Sequence, residues 1–294
     1  MVGDIFFHAL LHILGLLPAG GEIFRGNARE LLVEIFRIVE GNLLRHVRHS
    51  LLSGEAGLLK DRPDLLIAET AVGKAAAACR IKNLLQLQKK SKVRKEQGIF
   101  VVEGVRMFRE APADWIVKTY VSQEFLKKEE ASVLKGREYE IVEDRVFKTM
   151  SDTMTPQGIL AVVRQPVSSL EKLLNDPAPF FMVLENIQDP GNLGTIMRAA
   201  EAAGVTGILM SSDCVDIYNP KTIRSTMGAL YRVPFVVSED FAGDIERLKK
   251  AGVSTYAAHL GATISYEGAD YKKPCAFMIG NEANGLSDEV AALA

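Results

Sequence analysis

Two short apolar runs, Phe180 to Leu184 and Ala276 to Ile279, each break off into a turn dense in Gly and Asn, 185-ENIQDPGN-192 and 280-GNEANGL-286. Apolar runs this short, closed by turn residues, are buried strands, and strands apolar on both faces belong to parallel sheets covered by helices. The intervening segments agree. A helix is expected from about Asn192 to Ala203, a strand Gly207 to Ser211, and a helix around Pro220 to Leu230. A strand Phe235 to Val237, a helix Asp240 to Ala251 and a strand Ser254 to His259 follow. Repeated strand and helix units predict an open parallel sheet, and ligands in such sheets bind beyond the carboxyl ends of the strands.

Upstream, the texture changes twice. Between Arg80 and Lys95 lie seven basic residues (Arg80, Lys82, Lys89, Lys90, Lys92, Arg94, Lys95) and no acidic one. A helix burying Ile81, Leu84, Leu85 and Leu87 turns these cations outward. Gly98 breaks that helix; Ile99 to Val102 then reads as a strand, Val105 to Glu110 as a helix, and Trp115 to Val121 as a strand. A charged helix around Gln123 to Leu134 and a returning strand Gly158 to Arg164 complete a small α/β sandwich over residues 75–168. Pro166 through Pro179 supplies a linker, and the parallel-sheet domain occupies 176–294. Residues 1–74 read as a helical extension of unknown role, with Asn27 and Glu30 as a capping box ahead of an amphipathic helix.

The 294 residues fit about two domains. A composition of 48% hydrophobic and 24% charged residues predicts a packed core, and the net charge of −2 leaves any basic surface local. Cys79, Cys214 and Cys275 form no CxxC pair, which argues against a disulfide framework and against a zinc site. A reduced, cytoplasmic protein is expected, with Cys275 as a buried strand thiol. The apolar run Ile5 to Leu17 is shorter than the ~20 residues that span a bilayer and lacks a basic leader, so no membrane partner is expected.

The chemistry concentrates in the two turns. Pro190 presets φ, Gly191 permits φ > 0, and Asn192 is placed to cap the following helix. Exposed N–H groups at a helix start suit a phosphate, and Arg198 lies one and a half turns on. In the second turn Gly280 and Gly285 let the backbone bend tightly and approach a ligand. Alone, each turn is common to hairpins and helix starts. The basic run, on electrostatics alone, is either a solvated face or a phosphate-binding surface.

Taken together the strings are more specific. Asn186, Asp189, Pro190, Gly191, Asn192, Gly194, Arg198, Ala200 and Gly204 in register, followed by Gly280-Asn281-Glu282-Ala283-Asn284-Gly285-Leu286, resemble the first two of three signature motifs of the SpoU (TrmH-type) RNA 2'-O-ribose methyltransferases. Asn219, Arg224, Ser225 and Gly228 resemble the segment connecting them. Lys89, Lys90, Arg94, Gly98, Phe100, Val102, Glu103 and Gly104, with 147-FKTMSDTMTPQGILAVV-163, resemble the ribosomal-protein-like substrate-binding domain fused to many such enzymes.

The resemblance implies an α/β knot-type parallel-sheet catalytic domain, homodimerisation, and methyl transfer from S-adenosylmethionine to a ribose 2'-hydroxyl of rRNA or tRNA without a metal. It implies Asn192, Arg198 and Glu282 in the catalytic site, Gly280, Asn281 and His259 beside the donor, and Lys89, Lys90 and Arg94 on RNA. An incidental strand-end position is the alternative for His259. The family pattern runs on into a third motif after the point where this sequence stops at Ala294, so an incomplete donor pocket is expected. The competing readings are an RNA-binding fragment without catalysis and a related methyltransferase acting on a base nitrogen.

Overall fold

The computed structural model describes residues 71–262 and 268–294, with side chains from residue 77 onward. The run Ile5 to Leu17 and the capping-box helix lie outside the described residues. Residues 77–294 form one compact body built on two sheets.

The first sheet holds β1 (Ile99–Glu103), β2 (Ile116–Ser122), β3 (Glu140–Val142) and β4 (Ile159–Arg164) in the order β1-β4-β2-β3. β4 runs antiparallel to β1 and β2, whereas β3 joins β2 in parallel. The two-residue period of a strand sorts its side chains. Val101, Tyr120, Leu160 and Val162 pack with Leu84, Leu87, Phe147 and Met150 on one face. Phe100, Val102, Val121, Ile159, Ala161 and Val163 enter a different cluster on the other. Burying one such side chain contributes roughly 1.5–3 kcal/mol, so a register slip that exchanged the faces is strongly disfavoured.

The basic run differs from expectation in being two helices, Ala71–Lys89 and Ser91–Gln97, separated by Lys90 in extended conformation and closed by Gly98 at φ 63°. The charged helix expected around Gln123 to Leu134 is two 3-10 turns, Phe125–Lys127 and Glu129–Leu134. Lys128 is extended between them, so only Phe125 and Leu134 become buried there. Helix Asp144–Met150 and β3 were not anticipated.

The second sheet is parallel throughout: β5 (Phe180–Leu184), β6 (Gly207–Ser211), β7 (Phe235–Ser238), β8 (Ser254–Ala257) and β9 (Cys275–Ile279), in the order β7-β6-β5-β9-β8. Cys275 opens β9 and is buried, as its apolar surroundings predicted. Helices cover both faces: Leu193, Met197 and Ile223 on the side of Leu184, Ile208 and Met210, and Ile245 and Leu248 on the side of Phe181, Val183, Leu209 and Met278. The helix expected to reach Leu230 ends at Thr226, because Met227 (φ 52°) and Gly228 (φ 102°) turn the chain left-handed. β8 ends at Ala257, which leaves His259 in the following turn.

Chain order sets the position of the crevice. From β5 the sheet grows through β6 to β7 on one side, and the chain then crosses to β8 and returns through β9 on the other. The reversal falls between β5 and β9, which is where an open parallel sheet leaves a cleft beyond its carboxyl ends. The two sheets also share an apolar cluster that includes Phe100, Phe108, Leu184, Ile187, Ile223 and Tyr231. Phe100 and Tyr218 stack with ring centroids 4.8 Å apart, and the Tyr231 hydroxyl donates to the Met107 carbonyl at 3.1 Å.

Candidate active site at the tips of three parallel strands

The turn after β5 is fixed from below by backbone geometry. Glu185 N–H continues the ladder to Ile279 O at 2.9 Å, and Asn186 takes φ 52°, a conformation asparagine tolerates better than most residues. Asp189 then caps the helix Pro190–Ala203, its Oδ1 accepting from Asn192 N–H at 2.9 Å with Pro190 in the first turn. This corrects two expectations: Asn192 is not the cap but lies inside the first turn, and Gly191 is helical and takes no positive φ. Proline at the first helical position is compatible with a cap directly before it. The Asn192 side chain is thereby free for another partner.

That partner is Glu282, on the turn after β9. Glu282 Oε1 accepts from Asp189 N–H at 2.9 Å and from the Asn192 amide at 3.1 Å, while Oε2 accepts from Gln188 N–H at 3.1 Å. Asn281 adds a second tie, donating to Asn186 O at 2.9 Å. Partial burial pushes the Glu282 carboxyl up, but donation from Asp189, from its own N–H, from Gln188 and from Asn192 outweighs it and holds the group down at about 2. Glu282 is thus an anionic staple across the β5/β9 crevice and a very weak base.

Gly280 has a steric reason within its own turn. A Cβ there would stand 2.1 Å from the Gly285 carbonyl carbon and the Leu286 nitrogen, so only glycine lets the turn close on itself. Asn281 and Gly285 exchange N–H···O bonds of 2.9 Å, and Asn281 Oδ1 accepts from Ala283 and Asn284 N–H. Ala258 N–H bonds Met278 O at 3.0 Å, which sets His259 beside the tip of β9; its Nδ1 accepts from Gly261 N–H at 3.1 Å.

Arg198 shares an exposed helix face with Thr195 and Asn192, spaced three residues apart. Its guanidinium donates to Thr195 Oγ1 and approaches the Met227 sulfur, both at 3.2 Å. No carboxylate pairs with it among the described residues. A neighbouring thioether is a weak acceptor, so most of the donor fork stays available to an anion.

The basic run divides. Lys89 and Lys90 are exposed where the two helices meet, but Arg94 is 3% exposed and engaged with Asp216, Leu87 O and Gln88 O. Arg94 is therefore a correction to the expected RNA surface: a guanidinium buried inside the protein with four of its five N–H donors engaged there has no face to offer a phosphate.

Sequence reasoning missed the second layer of the site. Gln188 donates to Asn186 Oδ1 and to Asp213 O, and Ser211 Oγ accepts from Asn186 N–H. Glu185 receives both Ser287 N–H (2.7 Å) and Ser287 Oγ–H (2.6 Å), tying the turn after β5 to the start of helix Asp288–Ala291. Gln188 and Glu185 stood in the first motif, but nothing in their spacing identified partners about 25 and 102 residues away. Among the described residues no group of three or more His, Cys, Asp or Glu side chains is placed to share a metal ion, and no helix is long and apolar enough to cross a membrane.

Comparison with known proteins follows the same division of the chain. Residues 179–294 match the model of the SpoU rRNA Methylase family, and residues 79–161 match an MRM3-like substrate binding domain. An uncharacterized tRNA/rRNA methyltransferase of Synechocystis is 31% identical over 222 residues, 72% of this chain and 79% of that protein. The 23S rRNA (guanosine(2553)-2'-O)-methyltransferase of Bacillus subtilis is 32% identical over 200 residues, 66% of this chain and 76% of the relative. The AdoMet-bound rRNA methyltransferase from Sinorhizobium meliloti superposes with a TM-score of 0.61 at 31% identity, covering 72% of this chain and 81% of the other. The chain belongs to the SpoU rRNA methylase family.

Proposed function

We propose that this protein transfers a methyl group from S-adenosylmethionine to a ribose 2'-hydroxyl of ribosomal RNA, in the crevice between the turns after β5 and β9. The observation that carries the reading is the Glu282 staple. It joins the two motif turns across the switch point of the sheet, and on the adjoining helix face the Arg198 guanidinium has no carboxylate partner among the described residues.

The residues present fit a sulfonium nucleoside. The turns 257–262 and 280–286 lie at adjacent strand tips, carry no Lys or Arg that would repel a cation, and consist largely of Gly, Ala and Asn. Glu282 adds a fixed negative charge there. His259, Gly280 and Asn281, with the backbone of these turns, would hold the donor. When bound, that donor supplies an electrophilic methyl whose transfer turns the sulfonium into a neutral thioether.

The residues of this chain do the rest. A guanidinium is a poor base, since its pKa exceeds ~12, and Glu282 at about 2 is no better. Neither removes the hydroxyl proton before transfer. Arg198 instead holds the phosphate beside the target ribose and stabilises the developing alkoxide, while Asn192, fixed by Glu282, orients the hydroxyl. The hydroxyl proton is left to solvent, since none of these side chains is a base that would take it. Lys89 and Lys90 contact the RNA backbone. The same reading takes the protein as a cytoplasmic homodimer, which sedimentation velocity and cell fractionation test.

Calorimetry and methyl transfer together test the function. Saturable S-adenosylmethionine binding with transfer to rRNA is the expected result. Salt-sensitive RNA binding with no donor heat would make the protein an RNA-binding module instead.

A further inference from the structure

A polar path joins the basic helices to the crevice, and the reaction as described leaves it unused. At the Arg94 end, Nη1 donates to Leu87 O at 2.6 Å and to Gln88 O at 3.1 Å, closing the end of the first helix. Nε and Nη2 both donate to Asp216 Oδ2, the former at 3.1 Å, and Asp216 Oδ1 accepts from Tyr218 N–H at 2.9 Å. Asp216 belongs to the strap 212–219 that follows β6; its Tyr218 packs on Phe100 and Phe235, and three further contacts of the strap run to the first motif. Val215 N–H donates to Ile187 O at 2.8 Å, Ile187 N–H to Cys214 Sγ at 3.3 Å, and the Gln188 amide to Asp213 O at 2.7 Å. Ile187 and Gln188 precede the turn that carries Asn192. Among the described residues two other ion pairs cross between the sheets, Arg224 with Asp152 and Arg232 with Glu110, but each is open to solvent on at least one partner and so screened.

We propose that Arg94 is a positioning residue for the methyl transfer: it locks the helix end bearing Lys89 and Lys90 to the strap beneath the first motif, so that RNA held on the basic face meets Asn192 and Arg198 in fixed register. The proposal rests on the methyltransferase reading. A planar guanidinium with several donors in fixed directions suits this work. Arg94 has two backbone carbonyls on one side and one carboxylate on the other, and a lysine ammonium cannot span both with the same geometry. Misplacement of a reacting group by about 1 Å costs up to ~100-fold in rate, so a small drift between basic helix and motif is enough to matter.

The test compares Arg94→Lys and Asp216→Ala with the unaltered full chain, and adds Asp216→Asn, which keeps an acceptor oxygen. The readouts are kcat at saturating rRNA, separate dissociation constants for rRNA and S-adenosylmethionine, and amide hydrogen exchange. The expected result for Arg94→Lys and Asp216→Ala is a fall in kcat of about tenfold or more. Both dissociation constants should stay within about twofold, and exchange should be faster at residues 186–189 and 213–219, with partial rescue in Asp216→Asn. Unchanged kcat and unchanged exchange at 186–189 would overturn the proposal, as would loss of kcat in step with loss of both bindings and of global protection. If the unaltered chain binds RNA but transfers no methyl group, the functional reading fails rather than the Arg94 link, and the exchange at 186–189 still decides whether Arg94 reaches the motif.

Discussion

Arg198 and Arg94 stand in two regions of the same body, each in a string dense with basic or small residues, and the protein uses them in opposite ways. Arg198 is exposed, held by a hydroxyl and a thioether, with donors to spare. Arg94 is buried at 3% exposure, with every contact directed into the protein. The comparison teaches that for a cation the number of unsatisfied donors, rather than the presence of charge, separates a ligand-binding group from a structural one. The carboxylates sort by the same rule: Glu282 and Glu185 are saturated by N–H and O–H donors and hold turns together.

The comparison can be broken at either end. Arg198→Ala should lower methyl transfer about 100- to 1,000-fold, the range for losing a donor aimed at developing charge. Its thermal stability should change by no more than about 0.5 kcal/mol, as for an exposed position. Arg198→Lys should recover little if bidentate clamping is the role, and near-normal turnover in that variant would show it is not. Arg94→Ala should do the reverse in denaturant titration, costing about 3–5 kcal/mol because the partly buried Asp216 loses its buried partner. A loss near zero would return Arg94 to the surface.

Gly280→Ala comes next, because its Cβ would collide with backbone that cannot swing aside. Affinity for S-adenosylmethionine, measured by calorimetry, should weaken by about tenfold or more through opening of the 280–286 turn. Unaltered binding would mean the turn is remote from the donor.

A smaller effect follows from the Glu282 carboxyl. Its value is depressed from 4.5 to about 2 in the folded protein, so its contribution to stability is present in full above the unfolded value and is lost as pH falls through the folded one. Thermal unfolding between about pH 4.5 and 2 should show this loss, and Glu282→Gln should flatten that limb and lower stability at neutral pH, where the carboxylate's contribution is present. An identical acid limb in the variant would contradict the hydrogen-bonded staple. The smallest change belongs to Lys89→Gln and Lys90→Gln, each of which should lower the slope of log affinity for RNA against log salt by about 1.

Much of the fold was legible because strand and helix periods are written locally. Phe180 to Leu184 and Val105 to Glu110 end where the apolar pattern ends. The segment around Gln123 to Leu134 was misjudged because its charges suggested a helical face, although too few apolar positions recur to bury one. In the sequence 189-DPGN-192 both Asp189 and Asn192 are of residue types that cap helices, and only proline placement singles out Asp189. Arg94 was beyond local reading altogether, since its carboxylate partner lies 122 residues away. The motif strings located the candidate site; the staple and the second layer needed the sheet order that brings β9 beside β5.

The most direct test of a single crevice between the β5 and β9 turns is the identity of the product. Ribosomal RNA incubated with the protein and methyl-labelled S-adenosylmethionine, then digested to nucleosides, should yield label on a ribose 2'-oxygen, and both Arg198→Ala and Glu282→Ala should cut its rate of appearance, the former by at least about 100-fold. Label on a base nitrogen, or undiminished ribose label in both variants, would contradict the account.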